Sequence, residues 1–289
     1  MATNCHNGTE QHVIMKTINC NGKLLNLETP QVMGILNVTP DSFYSESRKQ
    51  SDKEIEKRAL QIIEQGATIL DIGAYSSRPG ADDISEEEEM TRSRKGLEVI
   101  KRTVPNCLIS VDTFRADVAK MCVEEYGVGI INDIAAGELD DKMFKTVSEL
   151  NVPYIIMHMK GNPRNMQDSP HYDDIISEEI LYFGKKINTL HDLGVNDIII
   201  DPGFGFSKTI EHNYQLLSHM EDLKELGLPI LVGVSRKSMI YKLFGTTPQE
   251  ALNGTTVINT IALTKGANIL RVHDVRECVE AVRIFQQLK

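Results

Sequence analysis

The chain of 289 residues has no tryptophan, only five cysteines, and no apolar stretch approaching the roughly 18 residues of a membrane span. Cys5, Cys20, Cys107, Cys122 and Cys278 are odd in number and scattered, with no C-x-x-C pair. That pattern excludes a disulfide framework and a clustered structural zinc site, and the five read as reduced small hydrophobes. Basic charge is also short. Lys and Arg number 31 against 41 Asp and Glu, a net charge of −10, which argues against nucleic acid or an anionic membrane as the main partner. Residues 1–11 are polar and lack the apolar core of a signal peptide. We therefore expect a cytoplasmic protein in which residues 1–11 are a disordered leader and residues 12–289 form a single domain.

What is present is a rhythm. Residues 12–27 read as a hairpin around Asn21-Gly22. Eight short β-rich apolar runs follow, at 32–37, 68–72, 108–112, 129–133, 154–158, 197–201, 230–235 and 268–273. Most show no polar alternation, as strands buried on both faces should. Helix-like segments lie between them at 53–65, 115–126, 176–193, 210–226 and 255–265, with 275–288 closing the chain. The first five stop at a glycine, and the repeated order of helix, glycine and apolar strand is the grammar of a parallel sheet. Eight such units predict an α/β fold of the (β/α)8 TIM-barrel type, with the hairpin covering the barrel bottom; a doubly wound open sheet is the alternative. The acidic run at 86–89 reads as a solvated helix start, and Met157, Met159 and Met166 read as packing residues.

Barrel active sites sit at the C-terminal ends of the strands. Asn37, Asp71, Asp112, Asn132, His158, Asp201, Lys237 and His273 fall at or just past such ends, joined near the mouth by Arg78, Arg236 and Arg271. Local cations on an acidic protein suit an anionic small ligand, and phosphate matches the planar fork of Arg and the point charge of Lys. An aspartate accepts two parallel N–H bonds and an asparagine offers both donors and an acceptor, so Asp112, Asn132 and Asp201 complement a flat heterocycle with an amino group beside a ring N–H. The same aspartates could equally hold a metal. Two loops add to the picture. Ser76-Ser77-Arg78-Pro79-Gly80 offers hydroxyls and a guanidinium, and Asp201-Pro202-Gly203-Phe204-Gly205-Phe206 allows close backbone approach beside an apolar wall. Neither is a P-loop or a dinucleotide fingerprint.

These segments resemble the dihydropteroate synthase family. The resemblance rests on Gly34-Ile35-Leu36-Asn37-Val38-Thr39-Pro40-Asp41-Ser42-Phe43, on Asp71-Ile72-Gly73 with the Ser76–Gly80 loop, on Ser110-Val111-Asp112-Thr113, and on Ile131-Asn132-Asp133-Ile134. It continues through Met157-His158-Met159, the Asp201 loop to Ser207-Lys208, Ser235-Arg236-Lys237-Ser238 and Arg271-Val272-His273-Asp274. The resemblance implies condensation of 4-aminobenzoate with (7,8-dihydropterin-6-yl)methyl diphosphate, with Mg2+ bound and no covalent enzyme intermediate. It implies that Asp112, Asn132, Asp201, Lys237 and Arg271 hold the pterin. Asn37, Ser77, Arg78, Arg271 and His273 would hold diphosphate, with Asn37 on the metal. Phe43, Pro79, Phe206, Lys237 and Ser238 would hold 4-aminobenzoate, where sulfonamides compete. Lys237, Arg271, His273 and Asp201 would carry the catalysis, and family analogy suggests a homodimer.

The sequence departs from the family's pattern in both early loops. Ser45 stands where a loop aspartate is usual, followed by Glu46, and Tyr75 and Ser77 stand where glutamate and threonine are usual. Three other readings share parts of the pattern. A methyl-transfer barrel would use the ring pocket without diphosphate, an aldolase would use Lys237 as a Schiff-base amine, and a catalytically lapsed protein would bind pterin without turnover.

Overall fold

Apolar strands without alternation need cover on both faces, and a sheet closed on itself inside a ring of helices supplies it. The computed structural model describes residues 17–38, 48–76, 83–162, 166 and 170–288, so the leader, the first loop and most of the second lie outside the described residues. A short antiparallel hairpin, β1 (Thr17–Cys20) and β2 (Lys23–Asn26), precedes eight parallel strands. These are β3 (Gln31–Asn37), β4 (Ile69–Gly73), β5 (Leu108–Asp112), β6 (Ile130–Asp133), β7 (Tyr154–Met157), β8 (Ile198–Asp201), β9 (Leu231–Val232) and β10 (Ile269–Val272). Their spatial order is β8-β7-β6-β5-β4-β3-β10-β9. The two ends of that order meet through an Ile200–Ile230 bridge, with Ile200 N–H donating to Pro229 O at 2.9 Å. The sheet is thus a nearly closed barrel, as the sequence predicts.

The helices are α1 (Arg48–Glu64), α2 (Glu86–Thr103), α3 (Ala116–Tyr126), α4 (Met143–Leu150), α5 (Ile175–Asp192), α6 (Ile210–Ser218), α7 (Ser238–Tyr241), α8 (Leu252–Thr264) and α9 (Val275–Gln286). None of the described helices is long and apolar enough to cross a membrane. Their ends follow local chemistry. Asp174 caps α5 by accepting the N–H groups of Ile176 and Ser177, and Thr209 with His212 forms a reciprocal capping box on α6. One expected helix breaks. The segment 210–226 is α6 only as far as Ser218 and then tightens into a 3-10 turn at Met220–Leu226. Three residues per turn keep Met220 and Leu223, both buried, on one line toward the core.

The core has layers that decide where chemistry can occur. Between strands and helices lies the main cluster, including Ile62, Leu70, Ile72, Leu97 and Phe183. A second cluster plugs the N-terminal end, where Ile18, Cys20 and Leu27 of the hairpin region meet Met33, Ile69, Ile130, Ile155, Ile199, Leu231 and Ile269. The hairpin therefore covers the barrel bottom. At the opposite end Ile134, Met157, Met159 and Met166 pack with Phe114 and Phe206 around the mouth.

Candidate active site

Arg271 on β10 reaches across the mouth to two carboxylates. Its Nε lies 2.7 Å from Asp71 Oδ2 on β4, and its Nη2 lies 2.6 Å from Asp112 Oδ2 on β5. Asn132 on β6 donates Nδ2 to the same Asp71 oxygen at 3.3 Å. Burial opposes the guanidinium's charge, but Asp71 and Asp112 outweigh it and hold the pKa of Arg271 above its usual value. Burial pushes Asp112 up to about 7, with Arg271 pulling it down and Asp71 adding to the rise. Asp71 is thus the hub of this side of the site. In the sequence Asp71 stands at a strand end, and no ligand role attaches to it there. The signal is an aspartate between Leu70 and Ile72 inside an apolar run, where a carboxylate needs a cation or hydrogen-bond donors to be buried.

On the other side, Asp201 ends β8 and accepts Gly203 N–H on Oδ1 at 2.8 Å. Burial raises its pKa, and the nearby Lys237 opposes the rise. Lys237 precedes α7; its Nζ donates to Phe204 O and lies 4.5 Å from the centre of the Phe206 ring. Burial lowers Lys237 to about 8, against the pull of Asp201. The glycines of this loop are sterically required. Gly203 has φ +69, and a Cβ there would fall 2.1 Å from His158 O. Gly205 has φ +80, and its Cβ would fall 2.9 Å from Lys237 Cδ. A larger residue at either place would push the loop away from the groups it presents.

His273 follows β10, with Nδ1 3.1 Å from Ser235 Oγ, and its carbonyl accepts Arg58 Nη2 at 2.7 Å. Asn37 is exposed at the end of β3. Its Oδ1 and Asp112 Oδ2 lie 3.4 and 3.8 Å from the Cβ position that Gly73 leaves empty, so the two face one space. Ser238 opens α7 beside Lys237 and is half-buried. The structure brings Asp112, Asn132 and Arg271 together through Asp71, and Lys237 together with Phe206 and Asp201. Phe43, Ser77, Arg78 and Pro79 lie outside the described residues, as do Ser45 and Glu46.

Three expectations need correction. His158 does not face the mouth. Strand side chains alternate, and with Met157 turned to the mouth cluster, His158 points into the helix layer. There it is 3% exposed, with its ring 4.9 Å from that of Tyr182. Arg236, at φ +56, does not offer an anion site either. It forks onto Asp274 at 2.9 and 2.8 Å and caps the carbonyls of Pro248 and Gln249, bracing the approach to α8. The acidic run 86–89 does start a helix, capped by Ser85, yet Glu89 is fully buried. It accepts Thr113 Oγ1 at 2.6 Å and Arg115 Nη1 at 2.6 Å, and Arg115 also donates to Ile84 O, tying the start of α2 to the end of β5. Lys208 and Glu179, which carry no role from the sequence, form a buried pair behind the Asp201 loop.

A barrel mouth with carboxylates and an amide on its floor, cations beside them and an apolar wall is the kind of pocket barrel enzymes use, and its chemistry suits a flat polar ring next to an anion. Comparison with known proteins makes this more specific. The sequence profile described as pterin binding enzyme matches residues 33–273. The dihydropteroate synthase of Escherichia coli strain K12 is 42% identical over 267 residues, covering 92% of this chain and 94% of that protein. A Yersinia pestis dihydropteroate synthase solved with a sulfonamide drug superimposes with a TM-score of 0.87 at 39% identity, over 94% of this chain and 98% of that one. A Xanthomonas albilineans dihydropteroate synthase solved with 7,8-dihydropteroate gives a TM-score of 0.81 at 34% identity, over 95% and 98%. The chain belongs to the pterin-binding enzymes and, among them, to the dihydropteroate synthase family.

Proposed function

We infer that the protein is a dihydropteroate synthase, a transferase of folate synthesis that joins 4-aminobenzoate to (7,8-dihydropterin-6-yl)methyl diphosphate and releases diphosphate. The observation that carries this reading is the pairing, across one mouth, of Asp201 and Lys237 with the Asp71–Arg271–Asp112 cluster. Asp201, Lys237 and Asp112 suit a ring rich in N–H groups, and Arg271 with the neighbouring His273 and Asn37 suits the anion beside it. A carboxylate has about four lone-pair sites, so Asp201 can keep its bond to Gly203 and still accept a ring N–H and an amino group. The ring's donors then compensate the burial that raises its pKa. Asp112 and Asn132 would complete the ring's edge, with Arg271 over its face and Lys237 donating to a ring acceptor.

Arg271, His273 and Asn37 would hold the diphosphate, with Ser77 and Arg78 contributing from the second loop. The residues present also fit Mg2+. Among the described residues no cluster of three or more His, Cys, Asp or Glu forms a cage, whereas Asn37 presents one hard oxygen at the exposed rim. Mg2+ is commonly held that way, by one or two protein oxygens together with substrate phosphates. When bound, the ion would neutralise charge on the leaving diphosphate.

The chemistry then needs positioning more than acid–base work. The methylene C–O bond breaks and its electron pair leaves with diphosphate, whose growing charge Arg271 and His273 stabilise. The resulting cation is delocalised into the electron-rich dihydropterin. The uncharged aniline nitrogen of 4-aminobenzoate, which Phe206, Lys237 and Ser238 with Phe43 and Pro79 would hold, attacks that carbon and then loses its proton to solvent. No group on the enzyme forms a covalent bond.

The exposed Val257 and Ile261 on α8 and Ile284 on α9 support a homodimer formed through these last helices. The four described cysteines are free thiols, which supports a reducing, cytoplasmic setting. The direct test is product formation. The two substrates with Mg2+ should yield 7,8-dihydropteroate, with a sulfonamide competing against 4-aminobenzoate; ring binding without product would favour a lapsed pterin-binding protein.

A further inference from the structure

The carbonyls of the loop after β8 face two ways. Phe204 O accepts Lys237 Nζ inside the mouth, whereas Gly203 O and Phe206 O converge behind the loop on the ammonium of Lys208, at 3.2 and 3.3 Å. The same Nζ reaches His158 Nδ1 at 3.0 Å and stands 3.3 Å from Glu179 Oε1 on α5. The side chains of Lys208 and Glu179 are both 0% exposed, so neither touches a substrate.

A buried ion pair is a poor source of stability, because removing both charges from water offsets their attraction. This pair does something else. Gly203, Gly205 and Ser207 have φ of +69, +80 and +48, so alternate residues of the loop are left-handed and its carbonyls splay to both sides. An ammonium with three donors is suited to gather those that point inward, where no water is available. Each residue it fixes also bears on the site. Gly203 N–H holds Asp201 Oδ1, and the Phe206 ring lies against Lys237.

We propose that Lys208, neutralised by Glu179, is a positioning residue for the reaction: it fixes the main chain of residues 202–207 from behind and so sets the spacing of Asp201, Lys237 and Phe206. His158 joins the hub through Nδ1, 3.0 Å from Lys208 Nζ and 3.2 Å from Glu179 Oε1; burial holds its pKa below the usual value, with Glu179 opposing the fall and the ammonium adding to it. The proposal rests on the synthase reading.

The test compares Lys208→Met, Glu179→Gln and the double variant with wild type. Melting temperature is followed, together with kcat and the KM for 4-aminobenzoate per folded molecule and the affinity for pterin-6-carboxylate, a ligand for the ring pocket alone. Lys208→Met strands a buried carboxylate and should melt lower; the double variant removes both charges and should regain most of that loss. We expect the double variant to remain about tenfold or more below wild type in kcat/KM for 4-aminobenzoate and to bind pterin-6-carboxylate several-fold more weakly, as a displaced constellation would. Recovery of kinetics and pterin affinity along with stability would overturn the proposal, as would Lys208→Met with unchanged constants per folded molecule. Wild-type turnover tests the synthase reading separately, because pterin affinity reports the loop's position without turnover.

Discussion

Arg271 is committed to Asp71 and Asp112, so the charge state of its neighbours governs the mouth. Burial pushes Asp112 up to about 7 and Lys237 down to about 8. A ring that donates N–H groups binds the ionised carboxylate, and a ring acceptor or an anion binds the ammonium. Protonating Asp112 removes the first and deprotonating Lys237 removes the second. We therefore expect kcat/KM to fall below about pH 7 and again above about pH 8, and Lys237→Arg, which keeps its proton, to lose the alkaline limb in whatever activity it retains. A profile flat from about pH 6 to about pH 9 would contradict this assignment. Backbone geometry makes a second prediction. Gly203→Ala places a Cβ 2.1 Å from His158 O at φ +69, whereas Gly22→Ala, at φ +83, meets nothing within 4 Å. Both should lose roughly 1–3 kcal/mol of stability from the left-handed strain. Only Gly203→Ala should also reduce turnover per folded molecule, by about tenfold or more, since it alone displaces Asp201. Urea melts and steady-state kinetics on the two variants separate the effects.

The strands divide the barrel into a bottom that holds the fold together and a top that does the chemistry. Ile18 of the hairpin is 1% exposed among residues near the starts of seven barrel strands. Ile18→Ala should cost about 2–5 kcal/mol in denaturant unfolding yet leave kcat and KM per folded molecule unchanged. A kinetic change would show that the two ends are coupled. The strands were legible because runs such as Ile198–Asp201 are β-branched, short and closed by a polar residue. The helices were less so. At eight and four residues, α4 and α7 are too short to show a periodicity. The break after α6 depends on which residues the core takes, and period alone does not reveal it. His158 was misplaced for a related reason: the last residue of a strand faces the mouth or the helices according to register, and a one-residue shift reverses the answer.

Across the whole molecule, one continuous barrel brings residues 200 positions apart, Asp71 and Arg271, into contact. The polar strand ends marked this mouth in advance, and the family resemblance supplied roles for most of them. What remained hidden was the supporting architecture: Asp71 beneath Arg271, Lys208 behind the Asp201 loop, and Glu89 with Arg115 tying α2 to β5. Each is a buried charge whose partner lies elsewhere in sequence, so a charge inside an apolar run such as Asp71 signals that a partner exists, and only the folded arrangement names it. The outer surface carries its own prediction. Val257 and Ile261, 50% and 39% exposed and one turn apart on α8, should be covered in a homodimer. Sedimentation velocity should find wild type dimeric and the Val257→Asp, Ile261→Asp variant monomeric; a monomeric wild type would remove that interface. The most direct test of synthase activity at this mouth is diphosphate release from the pterin diphosphate with Mg2+, with and without 4-aminobenzoate, in wild type, Asp201→Ala and Lys237→Ala. Wild type should release diphosphate in a manner that depends on 4-aminobenzoate, and either substitution in a folded protein should abolish it; no release by folded wild type, or release untouched by both substitutions, would show that this mouth is not the synthase site.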